Sequence, residues 1–162
     1  MRRIAIAVGG LLMLGIELAE GQIRTSVYVC TGEVSGGLAY DDKARQWKGT
    51  AFSPDIKFLV RLKALRDYED RYGQVTDYEV DITHMGTTSG ANCRVRFGGD
   101  KTVKVYRGDD KVKCEYLTNE FILNVHTNRF LMLYPVGFTD REGISGIGGL
   151  PRITGGTCTK IE

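Results

Sequence analysis

Apolar and polar residues alternate along most of the chain from Arg24 onward, which is the pattern of β-strands with one buried face. The segment Lys57–Arg71 also contains good helix formers and an apolar stripe at helical spacing, so a helix is the alternative there. The regular alternation favours a strand. It is clearest between Lys57 and Ala64, where one side carries only apolar residues: Phe58, Val60, Leu62 and Ala64.

Other strands are predicted on both sides of this run. Arg24–Thr31 carries two valines on one face, and Arg152–Ile161 forms a final strand. The stretch Val34–Trp47 is rich in glycine, which predicts a loop with one short strand near Leu38–Asp41. A further strand, Asp77–Thr83, places its apolar residues opposite a row of carboxylates, which we interpret as a solvated face: Asp77, Glu79 and Asp81.

Glycine-containing turns separate the strands of the next region, which predicts a meander over residues 93–97, 103–105 and 112–116. A hairpin then follows over Glu120–Pro135, with its turn at Thr127-Asn128. Because one of its faces is entirely apolar, its register should be well specified. Pairing across the turn places three apolar pairs on that face: Val125 with Phe130, Leu123 with Met132, and Phe121 with Tyr134.

Many short strands without a firm helix predict an all-β fold, a single antiparallel β-barrel or sandwich of about eight strands. The chain has 162 residues, 42% of them hydrophobic and 26% charged, which is typical of one globular domain. Its formal net charge of +2 is too small to indicate a nucleic-acid-binding protein. No nucleic-acid partner is therefore expected.

The first 21 residues have the three-part layout of a secretory signal peptide. Two arginines supply a positive start, and Ile4–Ile16 is uncharged and mainly apolar. The small residues Ala19 and Gly21 suit cleavage after Gly21, which leaves residues 22–162 as one β domain. The apolar run is shorter than the about 20 residues that a membrane span needs, so no transmembrane segment is expected after cleavage. The layout predicts a periplasmic or secreted protein.

Export makes disulfides the expected state of the four cysteines. Four cysteines allow three connectivities. In one of them Cys30 pairs with Cys158 and joins the first strand to the last, and Cys93 pairs with Cys114 and closes a local loop. In a flat meander, however, Cys93 and Cys114 would lie about 10 Å apart, two strand spacings. A disulfide needs Cα atoms within about 7 Å. Either the middle segment bulges out or the pairing differs.

Short motifs of aromatic residues, turn glycines and cysteines stand at both ends of the predicted mature chain. With these motifs the chain resembles a family of small exported bacterial β-rich proteins. The resemblance implies export and a Cys30–Cys158 bridge, and it supplies no catalytic residue because that family has no assigned activity. The motifs are Tyr28-Val29-Cys30-Thr31, Gly36-Gly37-Leu38-Ala39-Tyr40-Asp41, Gln46-Trp47-Lys48 and Lys57-Phe58 near the start, and Phe121, Thr127-Asn128-Arg129-Phe130, Tyr134-Pro135-Val136-Gly137-Phe138, Ile153, Gly156, Cys158 and Ile161 near the end.

Catalytic chemistry finds little support in the sequence. The only histidines, His84 and His126, stand in separate segments, and neither lies near a known nucleophile motif. The glycine-rich stretch 143–149 resembles a phosphate loop, but a strand rather than a helix is predicted after it. The four cysteines form no C-x-x-C pair for zinc. We therefore expect no enzyme activity, no cofactor and no metal.

Two groups of residues suggest binding instead. Trp47 with Tyr40 is a possible aromatic anchor for a partner, although such a pair more often plugs a core. The predicted function is a non-enzymatic domain that binds a small ligand or a partner, such as an envelope component or a protein. The alternative is a proteinaceous inhibitor of a cell-wall hydrolase or protease, acting through a loop at Thr83–Ala91 or at 139–151. Basic residues opposite the apolar side of the predicted meander form a possible anion-binding face: Arg94, Arg96, Lys104, Lys111 and Lys113.

Overall fold

The computed structural model describes residues 24–87, 90–95, 101–136 and 150–162, so the predicted signal peptide lies outside the described residues. Within these ranges no helix exists that could cross a bilayer. The predicted all-β antiparallel fold is confirmed, and the described residues form ten strands instead of about eight. They are β1 (Thr25–Asp41), β2 (Gln46–Ala51), β3 (Lys57–Asp70), β4 (Gly73–His84), β5 (Ala91–Cys93), β6 (Thr102–Tyr106), β7 (Lys111–Tyr116), β8 (Asn119–Asn124), β9 (Arg129–Tyr134) and β10 (Arg152–Lys160).

All strand pairs are antiparallel and belong to one sheet with the order β5-β4-β3-β1-β10-β9-β8-β7. The first and last strands, β1 and β10, are neighbours in the middle of this order. β2 pairs only with β1, and β6 pairs with β4. The sheet is not closed around the core: its two ends meet at one isolated bridge, where Arg94 and Glu115 exchange backbone hydrogen bonds of 2.9 and 2.7 Å. An open sheet folded over into a sandwich fits this topology.

Aromatic side chains hold the two halves of the folded sheet together. Phe58 on β3 packs edge-on against Phe121 on β8 and Phe130 on β9, with ring centroids 5.8 and 5.0 Å away. Phe58, Val60 and Leu62 are almost fully buried, which confirms the predicted interior face and the choice of strand over helix. The burial of Val60 decides this, because in a helix Val60 would point away from the side that Phe58 and Leu62 share.

The disulfide Cys30–Cys158 joins β1 to β10 inside the core, as the resemblance implied. The two residues are directly opposite in the register, with Cα atoms 4.0 Å apart. The backbone N–H of Cys158 donates to the carbonyl of Asn128 on the other side of β10. Cys158 and Cys30 therefore form a non-hydrogen-bonded pair, the position at which opposing side chains of antiparallel strands lie closest.

The second disulfide, Cys93–Cys114, is present, but the flat meander predicted around it is wrong. β5 and β6 do not pair with each other. Both pair with β4, β5 along residues 80–82 and β6 along residues 75–79, so they lie end to end. Cys93 on β5 is then free to adjoin β7, and the two Cα atoms are 5.5 Å apart. The predicted turn at residues 98–100 lies outside the described residues.

The hairpin of β8 and β9 has the predicted interior face but a different register. Leu123 pairs with Phe130, and Phe121 pairs with Met132. The turn is longer than predicted because the Asn124 carboxamide accepts hydrogen bonds from the backbone N–H groups of residues 126 and 127. A shift of two residues leaves every side chain on its original face, so the core is unaffected.

The loop predicted for the glycine-rich stretch 34–47 is wrong except at its end: residues 34–41 belong to the long strand β1, 42–45 form a turn, and 46–47 begin the six-residue strand β2. β1 continues to Asp41 and pairs with β2 through six residue pairs. A register irregularity between Gly32 and Val34 lets β1 bend on its way past β10. The glycines thus mark a bend and close packing within a strand.

β3 and β4 extend beyond the point where β1 begins. The β1–β3 register starts at Thr25 opposite Lys63, and a register irregularity follows between Ala64 and Arg66. We call residues 66–77 the β3–β4 extension; β6 pairs with its β4 side. Because β1 does not continue beside it, the interior face of the extension is not covered by β1.

We expect removal of the Cys30–Cys158 disulfide to destabilise the protein strongly. Its sequence separation is 128, against 21 for Cys93–Cys114. The chain-entropy model gives about 5 kcal/mol for the long loop and about 3 kcal/mol for the short one. Urea unfolding of the double variant Cys30→Ala/Cys158→Ala measures the loss, and Cys93→Ala/Cys114→Ala is the comparison. Equal stability of the first variant and the wild type would contradict this account.

Gly156→Ala should also destabilise the core. Phe130 lies opposite Gly156 in the β9–β10 register, and a Cβ there would clash with its ring and with the Thr31 carbonyl oxygen. Since the carbonyl belongs to the ladder, relief requires a backbone shift that costs about 1–3 kcal/mol. Gly49→Ala is the matched control, because a Cβ at Gly49 meets open space. A lower midpoint of thermal unfolding in Gly156→Ala alone is the expected result.

Candidate functional site

The predicted basic residues occupy several different environments. Lys111 and Lys113 both form ion pairs with the Asp109 carboxylate, at 2.7 and 3.3 Å. The hydrogen bond from Lys111, with a second from Lys113, holds the pKa of Asp109 below its ordinary value. Arg94 is exposed at the bridge to β7, and Arg96 lies outside the described residues. Anion binding by these residues stays a prediction.

Lys104 lies in a different environment from Lys111 and Lys113. It lies on β6 opposite Asp77, with its Nζ atom 5.7 Å from the ring centroid of Tyr68. A hydrogen bond with Tyr68 raises the pKa of Lys104. This ammonium group therefore belongs to a cluster on the β3–β4 extension.

The predicted aromatic anchor is a cross-strand pair. Tyr40 on β1 is opposite Trp47 on β2, and their rings meet edge to face at a centroid distance of 5.5 Å. Both side chains are half-buried. The pair lies beyond Gly37, the last residue of β1 that pairs with β10. Its role in partner binding stays a prediction.

The two histidines lie on separate elements. His84 at the end of β4 is half-buried, with ring centroids 6.0 Å from Phe58 and 5.7 Å from Tyr116. His126 is exposed in the turn between β8 and β9.

No group of three or more His, Cys, Asp or Glu side chains within the described ranges is placed to hold a metal ion. The glycine-rich stretch 143–149 lies outside them, as does part of each loop proposed for an inhibitor.

The predicted solvated row of carboxylates is wrong at Asp77, which is only 2% exposed. Its carboxylate accepts hydrogen bonds from Arg66 Nε at 2.6 Å and from the Tyr68 hydroxyl at 3.2 Å. Burial follows from the position of Asp77 on β4 between two neighbouring strands, β3 and β6. Glu79, by contrast, forms only a part-exposed ion pair with Lys63, at 3.4 Å.

Tyrosines and cations surround Asp77 on the outer face of the extension. Val75 is 2% exposed and has Tyr68 and Tyr106 as its two cross-strand neighbours. The Tyr106 hydroxyl donates to Asp70 at 3.0 Å, and this bond raises the pKa of Tyr106. Tyr72 packs edge-on against Tyr106 at 6.2 Å. We call the following set the tyrosine face: Arg66, Tyr68, Arg71, Tyr72, Lys104 and Tyr106.

Cations of the tyrosine face stack on its rings. The Arg66 guanidinium carbon is 4.9 Å from the centroid of Tyr68, and that of Arg71 is 4.6 Å from the centroid of Tyr72. The Asp77 carboxylate raises the pKa of Arg66 through their hydrogen bond. Sequence reasoning missed this cluster because its members are contributed by β3, by β6 and by the turn between β3 and β4, and only Lys104 carried a signal.

The interior side of the same extension borders an open pocket of about 680 Å³, which we call the end pocket. This size is within the range of about 300–1,000 Å³ that is usual for small-molecule sites. Val105, Val125 and Tyr78 form an apolar floor that packs against the core. No sequence pattern indicated it, because its lining is contributed by strands far apart in the chain.

A connected polar group forms one wall of the end pocket. Arg24 Nη2 is 2.6 Å from one oxygen of the Asp67 carboxylate, and the Thr76 hydroxyl donates to the other oxygen, also at 2.6 Å. The arrangement places a charged pair and a hydroxyl beside an apolar floor. Such a site suits a molecule with one apolar and one polar part.

Comparison with known proteins adds no identity: no family model, no curated protein and no solved structure matches the chain. The resemblance to small exported bacterial proteins therefore stays a prediction. An argument about function therefore rests only on the geometry of the described residues.

We expect Asp77→Asn to lower the free energy of unfolding by about 1–3 kcal/mol, because the amide leaves the Arg66 guanidinium without its charged acceptor. Glu79→Gln on the same face of β4 is the control. It removes a part-exposed ion pair, and such pairs contribute at most about 1 kcal/mol. Urea unfolding compares the two variants, and equal losses would show that Asp77 has no special role.

Proposed function

We propose that the protein is a non-enzymatic binding domain of an extracytoplasmic compartment, and that it takes a small amphiphilic ligand in the end pocket. The observation that carries this proposal is the end pocket itself, with its apolar floor and adjoining polar wall. The ligand would place its apolar part against Val105, Val125 and Tyr78. Its polar part would lie at Arg24, Asp67 and Thr76.

The apolar floor of the end pocket supports the binding of an apolar group. The floor consists of two valines and a tyrosine, side chains that bury apolar surface and provide one hydroxyl. The Asp67 carboxylate already accepts two hydrogen bonds or ion contacts, from Arg24 and Thr76. A carboxylate held in this way is suited to orienting a ligand.

The disulfides support the compartment. Two disulfides bridge the four cysteines, and disulfides persist in oxidising compartments but are rare in the cytosol. This agrees with export, which the layout of the first 21 residues predicts. The periplasm or the extracellular medium is therefore the proposed location.

A fluorescent apolar probe tests the proposal directly. We expect N-phenyl-1-naphthylamine to bind the folded protein saturably at one site, with enhanced fluorescence. Val105→Phe fills the floor of the end pocket and should abolish this binding. Val34→Phe is the matched control, since Val34 is 68% exposed on β1 and does not line the pocket.

Circular dichroism and thermal unfolding must show that both variants are folded. Saturable binding to the wild type and to Val34→Phe, but not to Val105→Phe, is the expected result. Absence of saturable binding to the wild type, or equal binding to both variants, would overturn the assignment of the pocket.

A further inference from the structure

We infer that the tyrosine face binds an acidic polysaccharide, with a sugar ring stacked on the exposed Tyr72 and sugar carboxylates paired with Arg66, Arg71 and Lys104. This site lies on the outer face of the β3–β4 extension, and two of its members, Tyr68 and Tyr106, also border the end pocket. The inference does not depend on the small-ligand proposal for the end pocket.

The basic groups of the tyrosine face are more exposed than the acidic groups, which favours an anionic partner. The acidic groups lie low: Asp77 is 2% exposed and bonded to Arg66, and Asp70 accepts from Tyr106 and from the backbone of Tyr72. The cations are closer to the solvent. The Arg66 side chain is 70% exposed although its Nε atom is bound to Asp77, so its terminal nitrogens face solvent.

Two more cations complete the positive layer. Arg71 and Lys104 are both exposed. Arg71 stacks on Tyr72 and has no acidic partner among the residues that the structure describes. Three exposed cations thus lie outside two carboxylates that already accept hydrogen bonds, and a carboxylate ligand would meet the cations first. A guanidinium group also matches a carboxylate in shape and can bind it through two parallel hydrogen bonds.

The tyrosines favour a sugar as the carrier of those carboxylates. The face of an aromatic ring is electron-rich, so it attracts the weakly positive C–H groups on the flat side of a pyranose. Tyr72 is 68% exposed, which is unusual for so large an apolar ring. Tyr106 on β6 lies next to it, with ring centroids 6.2 Å apart and the two rings at 81°. The rings therefore form a stepped platform, on which the face of Tyr72 lies beside Tyr106.

The platform has the extent and the rigidity that a chain ligand needs. It spans β3, β4 and β6, and the outer two of these strands are about 10 Å apart. Val75 beneath Tyr68 and Tyr106 fixes their spacing, and the Asp77 bonds fix Arg66 and Tyr68. A single small anion would use only part of this surface, whereas consecutive sugars of a polymer would contact all of it.

Single-stranded nucleic acid offers similar chemistry, because its bases stack on aromatic rings and its phosphates bind cations. The disulfides favour the polysaccharide, since they indicate an oxidising compartment. Envelope and extracellular polysaccharides are the anionic ring polymers of that compartment. Nucleic acid is an outcome that the test must detect.

The test measures binding of oligogalacturonate and of alginate oligosaccharides by isothermal titration calorimetry. The probes for comparison are a malto-oligosaccharide of equal length, poly-glutamate and a thymidine oligonucleotide. We expect the acidic sugars to bind more tightly than the neutral sugar, which lacks the charge, and more tightly than poly-glutamate, which lacks the rings. Added salt should weaken the binding.

Variants with a matched control separate the two contributions. Tyr72→Ala should weaken binding about tenfold and Tyr72→Phe hardly at all, because the phenylalanine keeps the ring face. Arg71→Gln and Lys104→Gln should each weaken binding severalfold and reduce its dependence on salt. Lys160→Gln, which removes an exposed charge from β10, should have no effect. All these positions are exposed, so the variants are expected to fold, and thermal unfolding confirms this.

Three results would overturn the inference: no binding of either acidic sugar at millimolar concentration, equal binding of poly-glutamate, or tighter binding of the oligonucleotide. Each of them leaves the end-pocket proposal standing, because the apolar probe reports on that site separately. Loss of probe binding alone would likewise leave the polysaccharide site in place.

Discussion

The pairing of β1 with β10 is the constraint on which the rest of the structure depends. These strands come from opposite ends of the described chain and are central in the sheet. Each half of the sheet is therefore joined to the other half through one of them. β3, β4 and β5 follow on the β1 side, and β9, β8 and β7 follow on the β10 side. The Cys30–Cys158 disulfide locks this seam from within the core. Once the seam is fixed, Phe58 from one half can pack between the phenylalanines of the other.

Both candidate sites result from the unequal lengths of the strands around this seam. β3 has 14 residues and β4 has 12, and they continue after β1 has begun at Thr25. One side of the extension therefore faces the interior without a β1 neighbour, and there the end pocket lies. Its other side carries Asp77 beneath the tyrosine face. A single structural fact, a hairpin longer than its neighbour, thus produces a pocket with an apolar floor and a polar wall on one side and a cationic aromatic surface on the other.

Local patterns in the sequence predicted the elements that depend on local physics. The alternation through Phe58, Val60 and Leu62 identified β3 and its interior face. The glycine-rich stretch 34–47 was wrongly predicted as a loop, because its glycines serve a bend and close packing within β1. The hairpin register was wrong by two residues because one side chain, Asn124, sets the length of the turn. The end-to-end arrangement of β5 and β6 along β4 could not be predicted, because it depends on pairing between distant segments. The burial of Asp77 and the tyrosine face follow from that same pairing, so they could not be predicted from the sequence either.

Native mass spectrometry of the protein, exported to a periplasm and purified gently, tests the central claim of a disulfide-locked ligand-binding domain most directly. The account predicts a chain that begins after Gly21, has the mass expected for two disulfides, and carries a small amphiphilic molecule that Val105→Phe excludes. A bare chain with free thiols, or one whose bound molecule is unaffected by Val105→Phe, would contradict it.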